Sequence, residues 1–131
     1  MKIIRGIEIG NKIEETIRLQ NWAEEIATDF DMDTASLFDF QLCLDELVSN
    51  IINYAYTPGS EQIITVNYMA NDILNGFEII DSGAPFNMLE KAEPDVKKKL
   101  SSMEIGGLGI FLVKKLMDHI EYERENNLKN T

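Results

Sequence analysis

Glu46-Leu-Val-Ser-Asn50 lies inside a long apolar run, Asp81-Ser-Gly83-Ala-Pro85-Phe86 follows a strand-like run, and Gly106-Gly107-Leu108-Gly109 opens a helix-like run. The order of these clusters, and what separates them, decides the fold. Residues 62–69 and 73–81 alternate as two strands joined by a turn near Asn71-Asp72. Neighbouring strands joined by a hairpin argue against a parallel doubly wound sheet. The order predicted is strand (2–9), helix (13–30), helix (from Asp33 or Thr34 to about Tyr56), two strands, a polar loop (87–105), helix (108–117) and strand (120–124). This is an α+β chain: a two-layer α/β sandwich with a mixed, mainly antiparallel sheet and helices on one face.

The local signals behind these elements are specific. In the first strand Ile3, Ile7 and Ile9 share one side, and Ile4 breaks the alternation. Ile13, Ile17, Trp22, Ile26 and Phe30 form one broad helical stripe, which makes Trp22 a core residue. Asp33 or Thr34 is an N-cap for the second helix, and Thr57-Pro58-Gly59 stops it. With 131 residues and 44% apolar content, the chain is expected to form one domain with one core.

The three clusters carry chemistry. At about 100° per residue, Glu46, Ser49, Asn50 and Asn53 fall on one stripe of a helix that is otherwise largely apolar. A solvated helix face usually carries long charged residues in ion pairs, and this stripe has no Lys or Arg. Glu46 and Asn50 stand one turn apart and can converge on one ligand. A carboxylate there can accept a proton or orient water. An amide oxygen can ligate magnesium, which takes hard oxygen donors and shares its shell with phosphates. Asp81 can accept from an exocyclic amino group, with Gly83 leaving room for a flat ring; taken alone, that segment reads as a turn. The glycines at 106, 107 and 109 expose backbone N–H groups at a helix start, where phosphate oxygens bind; a plain hinge has the same composition. Leu112 stands where a dinucleotide fingerprint needs its third glycine, and no Gly-Lys-Ser/Thr loop occurs, which excludes a P-loop enzyme. Together the clusters supply the parts of an ATP and Mg2+ site.

Composition narrows the partners. A net charge of -11 and a pI near 4.4 repel phosphate backbones and anionic lipid, so neither nucleic acid nor membrane is an expected partner; the acidity reads first as an ordinary means of staying soluble and second as a match for a basic protein surface. Cys43, the only cysteine, sits in an apolar run and is expected to be a buried, inert thiol. The absence of a long apolar window and of a signal-peptide core makes a cytoplasmic location the simplest expectation. His119 has no second metal ligand nearby in sequence and is expected to cap a helix end. Lys97-Lys98-Lys99 is a solvated charge run that could reach a γ-phosphate.

The combination resembles the gyrase–chaperone–histidine kinase–mismatch repair ATPases (GHKL, Bergerat fold), and within them the anti-sigma factor serine kinases. The resemblance covers nearly the whole chain. It rests on Glu46-Leu-Val-Ser-Asn50 followed by Tyr54-Ala55-Tyr56, on Asp81-Ser-Gly83-Ala-Pro85-Phe86, and on Gly106-Gly107-Leu108-Gly109-Ile110 running into Leu112-Val113-Lys114-Lys115-Leu116-Met117-Asp118. It implies a single ATPase domain over 1–131, with Glu46 as general base and Asn50 as magnesium ligand. Asn50, Asn53, Asp81, Gly83, Gly106, Gly107, Leu108 and Gly109 would hold ATP, and residues 87–105 would be its lid. It further implies phosphorylation of a serine on an anti-anti-sigma (STAS-type) protein, binding of a sigma factor, and a homodimer. Two departures stand out: family members often have His where Tyr54 stands, and they usually add a strand after an Asn-containing turn. Here either that final strand is absent or residues 120–124 close the sheet. Two other readings remain open: a nucleotide-dependent protein-binding module without chemistry, and a simple ATPase or the ATP-binding piece of a histidine kinase.

Overall fold

The computed structural model describes residues 1–55, 60–83, 108–125 and 129–130. Strands β1 (Lys2–Gly10), β2 (Ile63–Ala70) and β3 (Asn75–Ile80) pair antiparallel in the order β1-β2-β3. Helices α1 (Glu15–Asp29) and α2 (Thr34–Asn50) lie between β1 and β2 in sequence, and α3 (Leu108–Leu116) follows β3. The architecture is α+β, as the sequence implies.

Alternation along β2 creates the layers. Ile64, Val66 and Tyr68 are buried on one face of the sheet, opposite Ile9 and Ile7 on β1 and Ile79 and Phe77 on β3. Leu19, Trp22, Ala23 and Ile26 of α1, and Leu44 and Val48 of α2, complete the same core. Phe77 centres its aromatic part: its ring lies 5.9 Å from Trp22, 4.9 Å from Phe40 and 5.3 Å from Tyr68, in edge-on or tilted contacts. On the other face Asn67 Nδ2 donates to Glu78 Oε1 at 3.0 Å. Gly6 stands opposite Asn67 and makes room for it, because a Cβ at Gly6 would come within 2.5 Å of Asn67 Oδ1.

Local chemistry fixes the ends of these elements. Asp33 caps α2: its Oδ1 accepts from the Ser36 backbone N–H at 2.8 Å, and that N–H holds the Asp33 carboxyl below its ordinary range. At the start of α1, Glu15 accepts from the Gly10 N–H at 3.1 Å, and Arg18 donates to the Glu8 carbonyl at 2.9 Å, so helix and strand are tied together. The Gly10 N–H is also the main reason that the Glu15 carboxyl is lowered. At the end of α1, Asp31 adopts a left-handed φ of 53°, and the Met32 N–H returns to the Ala27 carbonyl, closing a Schellman-type cap. Asn71 Oδ1 accepts from the Ile73 and Leu74 N–H groups at 2.8 and 2.7 Å, which makes the turn expected there.

Several expectations are corrected. A register shift between Ile3 and Arg5 marks a bulge at Ile4, so Ile3 pairs with Met69 on the face opposite Ile7 and Ile9 and is 59% exposed. The first helix starts at Glu15, and its buried stripe is Leu19, Trp22, Ala23, Ile26 and Ala27; Ile13, Ile17 and Phe30 are exposed. Helix α2 ends at Asn50 and gives way to a π-helical turn over Ile51–Ala55. Residues 120–123 are not a strand; Arg124–Glu125 (β4) pairs instead with Lys129–Asn130 (β5) in a separate two-stranded ladder. His119 does not cap a helix; its Nε2 lies 3.4 Å from Glu121 Oε2, with both side chains exposed.

Leu44 is fully enclosed, so Leu44→Ala should lower unfolding free energy by about 2–5 kcal/mol without changing the denaturant slope, read by urea titration. Asp33→Ala should lower the melting temperature. Because the native carboxyl of Asp33 titrates below its ordinary 3.8, its stabilisation is complete above that pH and is lost as pH falls through the native value. The gap between parent and variant should therefore hold steady above about pH 5 and narrow as pH falls below the ordinary carboxylate range, followed by urea midpoint.

Candidate nucleotide site

Helix α2 has to serve the core and the site at once. Leu44 and Val48, with Ile51 just beyond, turn inward against the sheet. Glu46 and Asn50, each two residues further on, project to the other side of the helix and are half-buried. The structure brings this pair together: Asn50 Nδ2 donates to Glu46 Oε1 at 3.1 Å. Helix α3 packs alongside α2, and its Val113 is buried.

Asp81 is only 5% exposed and stands just past the end of β3. It continues the alternation of Phe77 and Ile79, so it lies on the helix-covered side of the sheet, the side from which Phe40 of α2 meets Phe77. Asp81 Oδ1 accepts from the Gly83 N–H at 2.8 Å, and Gly83 is buried as well. The turn reading of this segment and the binding reading are thus compatible. One carboxylate oxygen organises the turn, and an ionised carboxylate has about four acceptor positions in all.

The other expected residues divide. Asn53 lies in the π-helical turn and is exposed. A π turn advances fewer degrees per residue than an α turn, so Asn53 is displaced from the Glu46–Asn50 stripe where ideal α geometry puts it. Tyr54 is also exposed, at 62%. Leu108 and Gly109 form the first turn of α3. Gly106, Gly107, the lid 87–105 with Lys97–Lys99, and Ala84-Pro85-Phe86 lie outside the described residues. No sequence signal marked the π turn, since Ile51–Ala55 contains neither Pro nor Gly.

The donor chemistry is selective. Among the described residues no group of three or more His, Cys, Asp or Glu side chains could hold a metal ion. An amide oxygen on Asn50 beside the Glu46 carboxylate suits magnesium, which binds through one or two protein oxygens and completes its shell with water and phosphate. Cys43, buried one turn before Leu47, offers no ligand. Burial, and then the charge of Asp39, push its thiol up to about 11. Two shallow surface depressions lie elsewhere. One runs along Met1, Lys2, Ile4 and Ala70; the other is lined by Asn21, Glu24, Glu25, Thr28 and Asp29, and its carboxylates repel phosphate. No helix among the described residues is long and apolar enough to cross a membrane.

The chain is similar to known proteins over much of its length. The chain is 28% identical over 105 residues to the serine/threonine-protein kinase BtrW of Bordetella bronchiseptica, covering 80% of this chain and 74% of that protein. It is 28% identical over 87 residues to the serine-protein kinase RsbW of Listeria monocytogenes, covering 63% and 55%, respectively. RsbW of Bacillus mycoides is 28% identical over 94 residues, covering 69% and 58%. The chain thus spans little more than half the length of the RsbW relatives. The histidine kinase-like ATPase family matches residues 10–131, all but the first nine residues, and the chain belongs to that family.

Proposed function

We propose that the chain is an ATP-dependent protein serine kinase of the anti-sigma type. The observation that carries this reading is the hydrogen-bonded Glu46–Asn50 pair on a helix whose other face is core, in a chain of the histidine kinase-like ATPase family. Relatives named as serine-protein kinases support the choice of serine as acceptor. The substrate would be a serine of an anti-anti-sigma (STAS-type) protein, and a sigma factor would be the regulated partner. The acidic surface suits a basic patch on such a partner. A homodimer is part of the same reading.

The chemistry follows from the side chains. Asp81 accepts from the adenine amino group, and Gly83 lets the ring lie close to the backbone. Glu46 takes the proton of the incoming serine hydroxyl as that oxygen bonds to the γ-phosphorus and the bond to the leaving diphosphate breaks in line. Asn50 would contribute an amide oxygen to magnesium, and the Gly106–Gly109 segment would contribute backbone N–H groups to the phosphates. Magnesium, when bound, would supply charge neutralisation on the phosphates.

Glu46→Gln should leave nucleotide affinity nearly intact and slow transfer by about 10²–10⁴-fold. Radiolabel transfer to a STAS-type partner would measure this, with an acid-stable phosphoserine as product. An acid-labile phosphohistidine would favour the histidine-kinase reading, and a variant as fast as the parent would remove Glu46 as base. Asp81→Asn should weaken ATP binding by about 10–100-fold, the worth of one hydrogen bond to a charged acceptor. Titration of a fluorescent ATP analogue would show it, and unchanged affinity would refute the adenine contact.

A further inference from the structure

Glu46 and Asn50 touch through one specific pair of atoms, and that contact restricts the amide. An Asn side chain is planar, with an oxygen acceptor on one side and an NH2 donor on the other. Exchanging the two by a half-turn hardly alters its shape, so an Asn with no neighbour presents either. An ionised carboxylate only accepts. The 3.1 Å contact from Asn50 Nδ2 to Glu46 Oε1 is therefore productive in one orientation alone. With the NH2 group committed to Glu46, Asn50 Oδ1 is turned away from that carboxylate. The two residues are one turn apart in regular α-helix, and α2 is anchored through Leu44 and Val48, so the contact does not depend on a loop.

We propose that Glu46 is also the positioning residue of the magnesium site: its carboxylate holds the Asn50 amide so that oxygen, and not nitrogen, faces the cation. This rests on the ATP-site reading above and adds to Glu46 a task separate from proton transfer. Residues that orient a metal ligand commonly change metal affinity by about 10–100-fold when removed. The two tasks need different properties of the side chain. Proton transfer needs a basic carboxylate. Orientation needs a group at the same reach that accepts: Gln, which offers either an oxygen or an NH2 group, meets this in part, and Ala does not meet it at all.

The test measures affinity for a fluorescent ADP analogue in magnesium and in EDTA, for the parent, Glu46→Gln and Glu46→Ala. Because ADP carries no transferable phosphoryl group here, the base does not enter. The expected result is a metal-free affinity within about twofold of the parent in both variants. The tightening by magnesium should be reduced by about tenfold or more in Glu46→Ala and by less in Glu46→Gln. A second readout needs no nucleotide. The side-chain amide proton resonances of Asn50, assigned by Asn50→Ala, should shift in Glu46→Ala, where the amide loses its acceptor. Parent-like magnesium tightening in Glu46→Ala, or unmoved Asn50 resonances, would overturn the proposal. A parent that binds the analogue equally with and without magnesium overturns it as well, but leaves the nucleotide site standing. A parent that binds no nucleotide overturns both.

Discussion

Burial of one side of α2 against the sheet is the constraint on which the rest depends. Leu44, Val48 and Ile51 are spaced by four and three residues, so they form a single inward stripe, and their burial fixes the rotation of the helix about its own axis. Glu46 and Asn50 follow Leu44 and Val48 by two residues, or about 200° of helical rotation, and are therefore aimed away from the sheet. Aim and stability come from the same contacts. A cavity beneath Leu44 would loosen the direction of Glu46 before it unfolded the protein, because a helix with an underfilled seat can roll.

The sheet imposes the matching constraint on Asp81. The turn at Asn71 sets the β2–β3 register, pairing Val66 with Ile79 and Tyr68 with Phe77. A slip of one residue would send Phe77 and Ile79 to the open face and Asp81 with them. The aromatic cluster around Phe77 opposes such a slip, since Trp22, Phe40 and Tyr68 all lose their partner in it. An apolar cluster thus keeps a buried carboxylate on the helix side, and the Gly83 N–H offsets part of its loss of water.

How much of this was legible in the sequence depends on the range of the interaction concerned. The Asp33 cap, the Asn71 turn and the pairing of Glu46 with Asn50 are set by neighbours within four residues and were readable; the burial of Trp22 and Cys43, made by distant partners, was readable from the apolar pattern around each. What escaped was phase. One extra residue at Ile4 reverses the facing of everything before it, and Ile3 emerges on the wrong side of a simple alternation. Ile13 and Ile17 fit a helical period, but the stripe that packs is rotated toward Leu19 and Ala23, where β1 and α2 lie. The change from α to π geometry after Asn50 likewise carries Asn53 off a stripe that ideal spacing gave it. Bulges and π turns are single-residue insertions into a regular pattern. They follow from long-range packing, and no local residue type need announce them.

Charge adds a further condition to the proposed site. Between Ile13 and Asn50 the chain carries ten acidic residues and one basic residue, Arg18, which is paired with Glu15. A free nucleotide triphosphate is repelled by such a layer, and more strongly at low ionic strength, where the screening length grows well beyond about 10 Å. A magnesium complex carries two fewer negative charges and meets less of that repulsion. In this reading the same field favours the metal-loaded nucleotide over the free one before any contact forms. The orientation of a single amide at Asn50 then matters more than it would on a basic surface, because α1 and α2 offer little positive charge to hold the phosphates.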